Sequence, residues 1–598
     1  MPFEWRRMRL YHVAIALALP MGAGAATIDL GAGQELVRLQ GAAGQDWLGT
    51  AVAAGDATGD GVLDLMVSAP GVNSPSSDVG RVYLFAGSDS LESLSIQDAI
   101  LRVTGWVPYS WIGNGSTSVA AGDVNGDGPA DVIIGSPHGS LREGGEVLVY
   151  HGGSGLAGPI DRGPGDADFT VLGREEPMSL GWSVATGDVN ADGIGDLVIG
   201  APSANPNGME YAGEVHVVLG GASLPDTLDL AGGSGALVVT GSESQDHLGR
   251  YVACEDLNGD GFSDIIMGSD SDGPPGRAGG ALYVVFGDTV LPEWIDLSQS
   301  APDLTVWGDD AGDGLGVSAA GDVDGDGIDD LVIGAYGADQ PGRTRCGEAY
   351  VLLGRYSWPD TIDLDVVAPD MRLIGSGAED YLGRAVAAGD FNGDGVADIL
   401  VGADGVDHGG QADVGDAYVI YGGAPLPALI DLSVEAPDVL IRGDGQEAGD
   451  RWGRSLAMGD LDGDGRAEIA LGAWEADPQG MARAGEVAVV SSSVLPTGVA
   501  SLELRPRPPL TVSLQPNPFN PSVEVRLAVA PGARYSARVY DVEGRLVASL
   551  GQGVASTREV VLRWDGTDQR GGAASSGVYF LRVEAGQGTA VRKAVLLR

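Results

Sequence analysis

Cysteine is nearly absent from this chain: two in 598 residues cannot build a disulfide framework. Cys254 occupies a strand position that Ala54 holds in an equivalent segment, so it reads as a small buried residue. Cys346 lies in a loop further on, and two free thiols are a better reading than a bridge between them. Basic residues are scarce too. Thirty-four Lys and Arg face 84 Asp and Glu, and a formal charge of −50 makes nucleic acid and anionic membranes poor partners. Beyond the N-terminal region the histidines are His138, His151, His216, His247 and His408, none spaced as a metal-ligand pair or beside a Ser or Cys nucleophile. No nucleophile elbow, zinc helix or phosphate-cradling loop occurs, so no residue is assigned a catalytic or organic-cofactor role. Long apolar runs are missing as well. The one candidate, Val13–Leu19, is too short to span a bilayer. Arg6, Arg7 and Arg9 precede it and Ala23-Gly-Ala25 follows, which is the pattern of a secretory signal peptide over residues 1–26. Helical periodicity is lacking throughout.

Glycine and aspartate are plentiful, in one recurring phrase. Asp-x-Asn/Asp/Thr-Gly/Ala-Asp-Gly-x-x-Asp/Glu occurs seven times, and successive copies start 65–70 residues apart. One supersecondary unit is therefore copied seven times. Positions 1, 3, 5 and 9 carry side-chain oxygens. They are Asp56, Thr58, Asp60 and Asp64 in the first copy, then Asp123, Asn125, Asp127 and Asp131, then Asp188, Asn190, Asp192 and Asp196. The fourth copy has Asp256, Asn258, Asp260 and Asp264, and the fifth Asp322, Asp324, Asp326 and Asp330. The last two have Asp390, Asn392, Asp394 and Asp398, and Asp460, Asp462, Asp464 and Glu468. Four such oxygens converge on one hard cation when the chain curls tightly, and the glycines permit the curl. Oxygen ligands at this density suit Ca²⁺, and the loops hold no Cys or His for a softer metal. Position 7 varies (Val62, Pro129, Arg466), so only its carbonyl can take part. Thr58 at position 3 and Ala191 at position 4 mark two weaker sites.

An EF-hand is excluded, because position 12 is apolar in every copy (Val67, Ile134, Ile199, Met267, Ile333, Val401, Leu471) where that loop needs a bidentate Glu. Each position 12 lies in a short β-branched run that reads as a buried strand. A strand precedes each loop, a Gly-rich turn and a third strand follow, and a fourth strand leads into the next repeat. Four short antiparallel strands per unit describe a propeller blade. The seventh repeat stops after Glu486–Val490, and an unmatched segment, Glu35–Gly41, precedes the first loop. That segment is expected to complete the seventh blade and close the ring, leaving no open sheet edge.

The repeats resemble the FG-GAP repeats of integrin α-subunit propellers. The carrying residues are Leu48-Gly49, Ile112-Gly113, Leu180-Gly181, Leu248-Gly249, Leu315-Gly316, Leu382-Gly383 and Trp452-Gly453, then an acidic loop, then Gly200-Ala-Pro202, which drifts to Gly135-Ser-Pro137 and Gly334-Ala-Tyr336. The resemblance covers roughly residues 35–491 and implies an all-β, seven-bladed β-propeller with up to seven structural Ca²⁺, acting in adhesion or ligand recognition.

The propeller is expected over residues 27–495, with a Pro-rich linker at 496–509. Residues 510–598 alternate in short strands, the pattern of a small Ig-like sandwich. They resemble the C-terminal sorting domain of the bacterial type IX secretion system and the related Ig-like domain of flagellar hook-capping proteins, through Asn517-Pro-Phe-Asn-Pro-Ser522, Trp564-Asp-Gly566 and Ser576-Gly-Val-Tyr-Phe580. The resemblance implies the type IX machinery as a partner and a secreted or outer-surface location.

Gly49 and Asp56 bracket the first inner strand, so the loops leading into the inner strands and the acidic loops fall on opposite faces. The lead-in loops carry Asp46, Trp47, Trp111, Asp246, His247, Asp380 and Tyr381, which would ring the channel mouth as a recognition surface for an extracellular protein or glycan. Packing at the centre of the ring is the other role open to these side chains. The alternatives to adhesion are a lectin-like carbohydrate binder and a hydrolase with its site at the channel mouth. Arg442-Gly-Asp444 spells an adhesion tripeptide, but the repeat places a glycine there anyway, and chance accounts for it.

Overall fold

The computed structural model describes residues 25–495, short loop positions excepted, and the strands between positions 511 and 596. Residues 1–24 of the expected signal peptide and the expected linker lie outside the described residues. No α-helix forms among the described residues, and no helix there is long and apolar enough to cross a membrane.

The structure is all-β, with seven sheets arranged as the blades of a propeller. Blade 1 runs outward as Val52–Gly55, Asp64–Ala69, Arg81–Phe85 and Leu101–Thr104. The inner strands of blades 2 to 7 are Val119–Gly122, Ser183–Gly187, Tyr251–Glu255, Leu315–Gly321, Leu382–Gly389 and Ser455–Gly459. Each packs against the next, and the last packs against the first, so the ring is closed. The second strand of every blade is buried at all six positions, which is why these runs read as continuous β-branched stretches. Hydrophobic cores lie between blades, each shared by two neighbours, as Ile133 and Val149 of blade 2 join Leu197 and Ile199 of blade 3. The core between blades 7 and 1 joins Ala470 and Val487 to Leu65 and Tyr83 in the same way.

Two glycines per blade let the blades approach this closely. A Cβ on Gly200 would sit 2.0 Å from the carbonyl oxygen of Gly249, and one on Gly402 would sit 2.0 Å from that of Gly453. The first glycine belongs to the Gly-Ala-Pro element and the second to the Leu-Gly or Trp-Gly pair of the next blade.

Closure follows the expected route. Val37–Gln40 pairs antiparallel with Glu486–Val490 and completes blade 7. Arg38 reaches from this strand to Asp444 at 2.9 Å and to Glu486 at 3.3 Å, so the aspartate of the Arg-Gly-Asp tripeptide is engaged within the fold.

Blades 1 to 6 differ from the expected four strands by carrying a fifth, parallel strand at the outer edge. The following repeat supplies it. Ile160–Arg162 edges blade 1, and Thr361–Asp363 edges blade 4. For blade 6 the supplier is Ala26–Asp29, which pairs parallel with Val439–Arg442 and begins at a residue assigned above to the signal peptide. These strands are too short for alternation to reveal them. Their signature is instead a repeated phrase, Thr27-Ile-Asp-Leu30, Trp294-Ile-Asp-Leu297, Leu429-Ile-Asp-Leu432. Pairing them over the fourth strands shields the blade edges.

The C-terminal residues form a sheet of three strands (Thr511–Gln515, Val523–Ala528, Glu559–Trp564) and one of four (Arg534–Tyr540, Leu546–Val554, Gly577–Ala585, Gly588–Leu596). Inward residues Val525, Leu527, Val539, Trp564, Leu581 and Val583 share one core, with Trp564 edge-on to Tyr579 at 5.0 Å.

Candidate metal centres and the opposite face

Each acidic loop sits between the first and second strands of its blade, and all seven have one construction. The position-1 carboxylate curls the loop around itself. Asp322 Oδ1 accepts from the amides of Gly325 at 2.7 Å and Asp326 at 2.8 Å, and its Oδ2 accepts from Gly327 at 2.8 Å. Asp56, Asp123, Asp256 and Asp390 each accept from the same three amides, while Asp188 and Asp460 accept from two of them. Position 2 is an apolar anchor, fully buried as Ala57, Val124, Val189, Leu257, Val323 and Phe391 and nearly so as Leu461.

Position 9 opens the second strand and is wholly enclosed. Asp64, Asp131, Asp196, Asp264, Asp330, Asp398 and Glu468 are all 0% exposed. In the aspartates, one oxygen accepts from the amide at position 2 or 3, and the other from a glycine amide beyond the third strand, as at Gly354 (2.7 Å) and Gly422 (2.8 Å). Burial, aided by the neighbouring acids of each loop, pushes these carboxyls up. Asp131 and Asp196 rise to about 6, Asp264 and Glu468 to about 7, and Asp330 and Asp398 to about 8, while Asp64 is raised as well.

The donor set fits a hard cation. Asp322, Asp324 and Asp330 bring three carboxylate oxygens within 4.8 Å of one another, as do Asp460, Asp462 and Asp464. The other loops have Thr or Asn at position 3, so their third oxygen is neutral. In the sixth loop the Asn392 side chain donates to Asp398 at 3.1 Å, while its Oδ1 is buried with no hydrogen-bond partner among the described residues. An oxygen in that state lacks a donor or a cation.

The loops also hold one another. The position-8 amide of each donates to the position-1 carbonyl of the loop before it, as in Ala130 to Asp56 at 2.9 Å and Ala397 to Asp322 at 3.1 Å. Leu63 donates to Asp460 at 3.1 Å and closes the circle. Position 7, which the sequence leaves with only its carbonyl to offer, covers the neighbouring loop. Pro129 lies over Gly59, Ile328 over Gly259 and Val62 over Gly463. Ala191 takes φ 56°, the left-handed region that glycine occupies in its place elsewhere.

On the opposite face, the residue before each Leu-Gly or equivalent pair has positive φ in all seven blades: Trp47 (56°), Trp111 (45°), Ser179 (55°), His247 (56°), Gly314 (65°), Tyr381 (56°) and Arg451 (62°). A non-glycine residue held there costs about 1 kcal/mol and persists because the surrounding fold over-determines it. The acids beside them are used internally. Asp46, Asp246 and Asp380 are 5–6% exposed and accept from their own turns: Ala43 (2.8 Å), Ser242 and Glu243, and Ser376 and Gly377. The aromatic candidates do not form one ring. Trp111 meets His138 edge-on at 5.0 Å, His247 lies 3.4 Å from Asp270, and Trp47 stands against Trp474 at 6.2 Å. Tyr381 lines a cleft in blades 5 to 7.

Sequence reasoning does not single out the other residues of that cleft, although a signal exists. The slot after the second strand holds Pro70, Pro137 and Pro202 in blades 1 to 3 but Asp270, Tyr336, Asp404 and Trp474 in blades 4 to 7. Both cysteines are free, as expected, and Cys254 is buried as expected; the loop residue Cys346 is buried too.

Six segments match the FG-GAP repeat family, at residues 48–85, 116–150, 180–218, 314–352, 382–420 and 452–490, and residues 520–589 match the FlgD Ig-like domain. Blade 4 is outside those matches yet keeps the loop geometry. The chain is similar to integrin alpha-5 of Xenopus laevis, 30% identical over 230 residues that make up 37% of this chain and 20% of that protein. It is also similar to phosphatidylinositol-glycan-specific phospholipase D of Dictyostelium discoideum, 27% identical over 318 residues, 49% of this chain and 32% of that protein. The chain thus spans a third or less of these relatives' own length. A solved structure of PorZ, an essential surface component of the type-IX secretion system of Porphyromonas gingivalis, overlaps at TM-score 0.35 with 14% identity, covering 92% of this chain and 59% of that one. That overlap is too loose to bear on function.

Proposed function

This chain carries FG-GAP repeats in a closed seven-bladed propeller and ends in a FlgD Ig-like domain, and we propose that it is a secreted or cell-surface calcium-binding propeller that recognises a ligand in adhesion. One observation carries the calcium: a fully enclosed carboxylate at position 9 of every loop, pushed as high as about 8 in Asp330 and Asp398. Such a group is stable either protonated or beside a cation. Positions 1, 3, 5 and 9, with the position-7 carbonyl, would hold Ca²⁺, which would supply charge compensation and no chemistry. Native mass spectrometry of the intact protein in millimolar calcium tests this. Several bound calcium ions per chain are expected, and a metal-free spectrum sinks the assignment.

Recognition is assigned to the lead-in face, where the strained aromatic positions lie. A lectin-like version of this reading is favoured by the cleft in blades 5 to 7. We assign no catalytic role. The phospholipase D relatives are enzymes, but the shared stretch is at most 32% of the length of those compared.

The domain limits we propose are a signal peptide that ends before Ala26, which pairs in blade 6, then the propeller to residue 495, a linker at 496–509 and the Ig-like domain at 510–598. We propose the last as the export signal read by type IX machinery. Removing residues 510–598 should leave the propeller inside the cell envelope. Unchanged surface display of the truncated chain argues for an ordinary accessory sandwich.

A further inference from the structure

The cleft in blades 5 to 7 has a volume of about 770 Å³, within the range of small-ligand sites, and is lined by four arginines and four carboxylates. In a chain of net charge −50 this neutral balance sets the patch apart. Asp404, from the slot that holds proline in blades 1 to 3, is 2% exposed. Three arginines surround it without reaching hydrogen-bond distance: Arg451 at 3.7 Å, Arg454 at 3.9 Å and Arg384 at 4.0 Å. Arg451 is also held by Glu475 at 3.2 Å and Asp413 at 3.3 Å. Arg384 lies over the Tyr336 ring at 4.2 Å.

Three buried polar atoms of this cluster have no hydrogen-bond partner among the described residues: the acceptor Asp404 Oδ1 and the donors Arg384 Nε and Trp474 Nε1. Leaving such groups unpaired costs about 1–3 kcal/mol each. An anion without a hydroxyl offers nothing to donate to Asp404, and the ammonium or guanidinium of a cationic side chain offers nothing to accept from the arginine and the indole. A hydroxyl does both, and vicinal hydroxyls do so at neighbouring points. Trp474 adds a flat apolar face on which a sugar ring rests.

We propose that the cleft binds a neutral oligosaccharide, with hydroxyls donating to Asp404 and accepting from Arg384 and Trp474, and with Trp474 as the platform. This deepens the recognition reading above and rests on it. The test presents the full chain, in millimolar calcium, with neutral gluco- and manno-oligosaccharides, oligogalacturonate and arginine-rich peptides, read by an array and by calorimetry. Neutral oligosaccharides should be preferred. Trp474→Ala should weaken binding by about tenfold or more, and Trp474→Phe, which keeps a smaller aromatic face and loses the N–H, by about threefold to tenfold. Trp294→Ala, on the exposed outer edge strand of blade 3, should leave affinity unchanged. Preference for the uronate or the peptide overturns the proposal. So does undiminished binding in Trp474→Ala, or no binding of any neutral probe up to about 10 mM. The two readings fail separately. A chain that does not bind calcium loses the metal reading whatever the array reports. A calcium-loaded chain that holds another ligand equally well with Trp474→Ala keeps its recognition role and loses this cleft.

Discussion

The two faces of the propeller follow opposite rules. On the acidic-loop face seven copies do the same thing, and each is tied to the next through a backbone hydrogen bond that runs round to Leu63 and Asp460. On the lead-in face the backbone repeats, with seven positive φ values, but the side chains diverge. Proline fills the slot after the second strand in blades 1 to 3, and Asp270, Tyr336, Asp404 and Trp474 fill it in blades 4 to 7. A repeated structure that keeps one element constant is using it for stability. Where it lets copies drift on a fixed backbone, it has room for recognition.

The largest effect should come from stripping the constant face. At a dissociation constant near 10⁻⁴ M and about 1 mM calcium, linkage gives roughly 1.4 kcal/mol per site, so about 10 kcal/mol for the ring. Scanning calorimetry with and without chelator should show a drop in Tm of more than about 10 °C, and coincident melts would refute a structural role for the metal. Deleting residues 27–41 removes the closing strand and the edge strand of blade 6. Several kcal/mol should be lost, seen as a lower and broader melt, whereas an unchanged curve would show that the ring does not depend on its clasp.

The calcium dependence of the pH response separates the faces next, because the lead-in acids Asp313 and Asp450 are also pushed up, to about 9 and about 8, but have no metal to displace their protons. Six of the seven position-9 acids rise from ordinary values of 3.8 or 4.5 to about 6–8 in the fold, and Asp64 is raised as well. Below pH 4 both folded and unfolded states hold these protons. Between pH 4 and 8 the unfolded chain sheds them first, so the calcium-free propeller should lose stability as pH rises across that window. Calcium displaces the protons, and the loaded protein should show the reverse. Melting at pH 5 and pH 8, with and without chelator, checks both signs.

Single substitutions are smaller. Asp398→Asn should cost about 1–3 kcal/mol in calcium and less in chelator, because it disables one site of seven. Asp246→Ala on the lead-in face should cost about 1–2 kcal/mol regardless of calcium, because its carboxylate holds a turn and no metal. If the two substitutions answer calcium alike, the division between the faces is wrong.

The acidic loops, the blade strands and the closing strand are all legible in the sequence, because period, glycine spacing and β-branched runs are local signals repeated seven times. The edge strands are not, since three residues pair with a strand from another repeat and leave no alternation to read. Asp46, Asp246 and Asp380 look available from sequence, because nothing local says that a carboxylate will fold back on amides three or four residues away. The cleft is hidden for a further reason. Its members come from three repeats, at slots a repeat-minded reading treats as drift, and Arg384 and Trp474 meet only after blades 5, 6 and 7 are assembled.

The clasp also sets an order on assembly. Ala26–Asp29 and Val37–Gln40 are made first, but their partners, Val439–Arg442 and Glu486–Val490, are made more than four hundred residues later. Contacts so distant along the chain are slow to form. Ala26–Asp29 can dock only once Val439–Arg442 of blade 6 has emerged, and Val37–Gln40 only once Glu486–Val490 of blade 7 has, so a chain cut short in blade 7 is held by its first latch and stays an arc whose second latch never shuts.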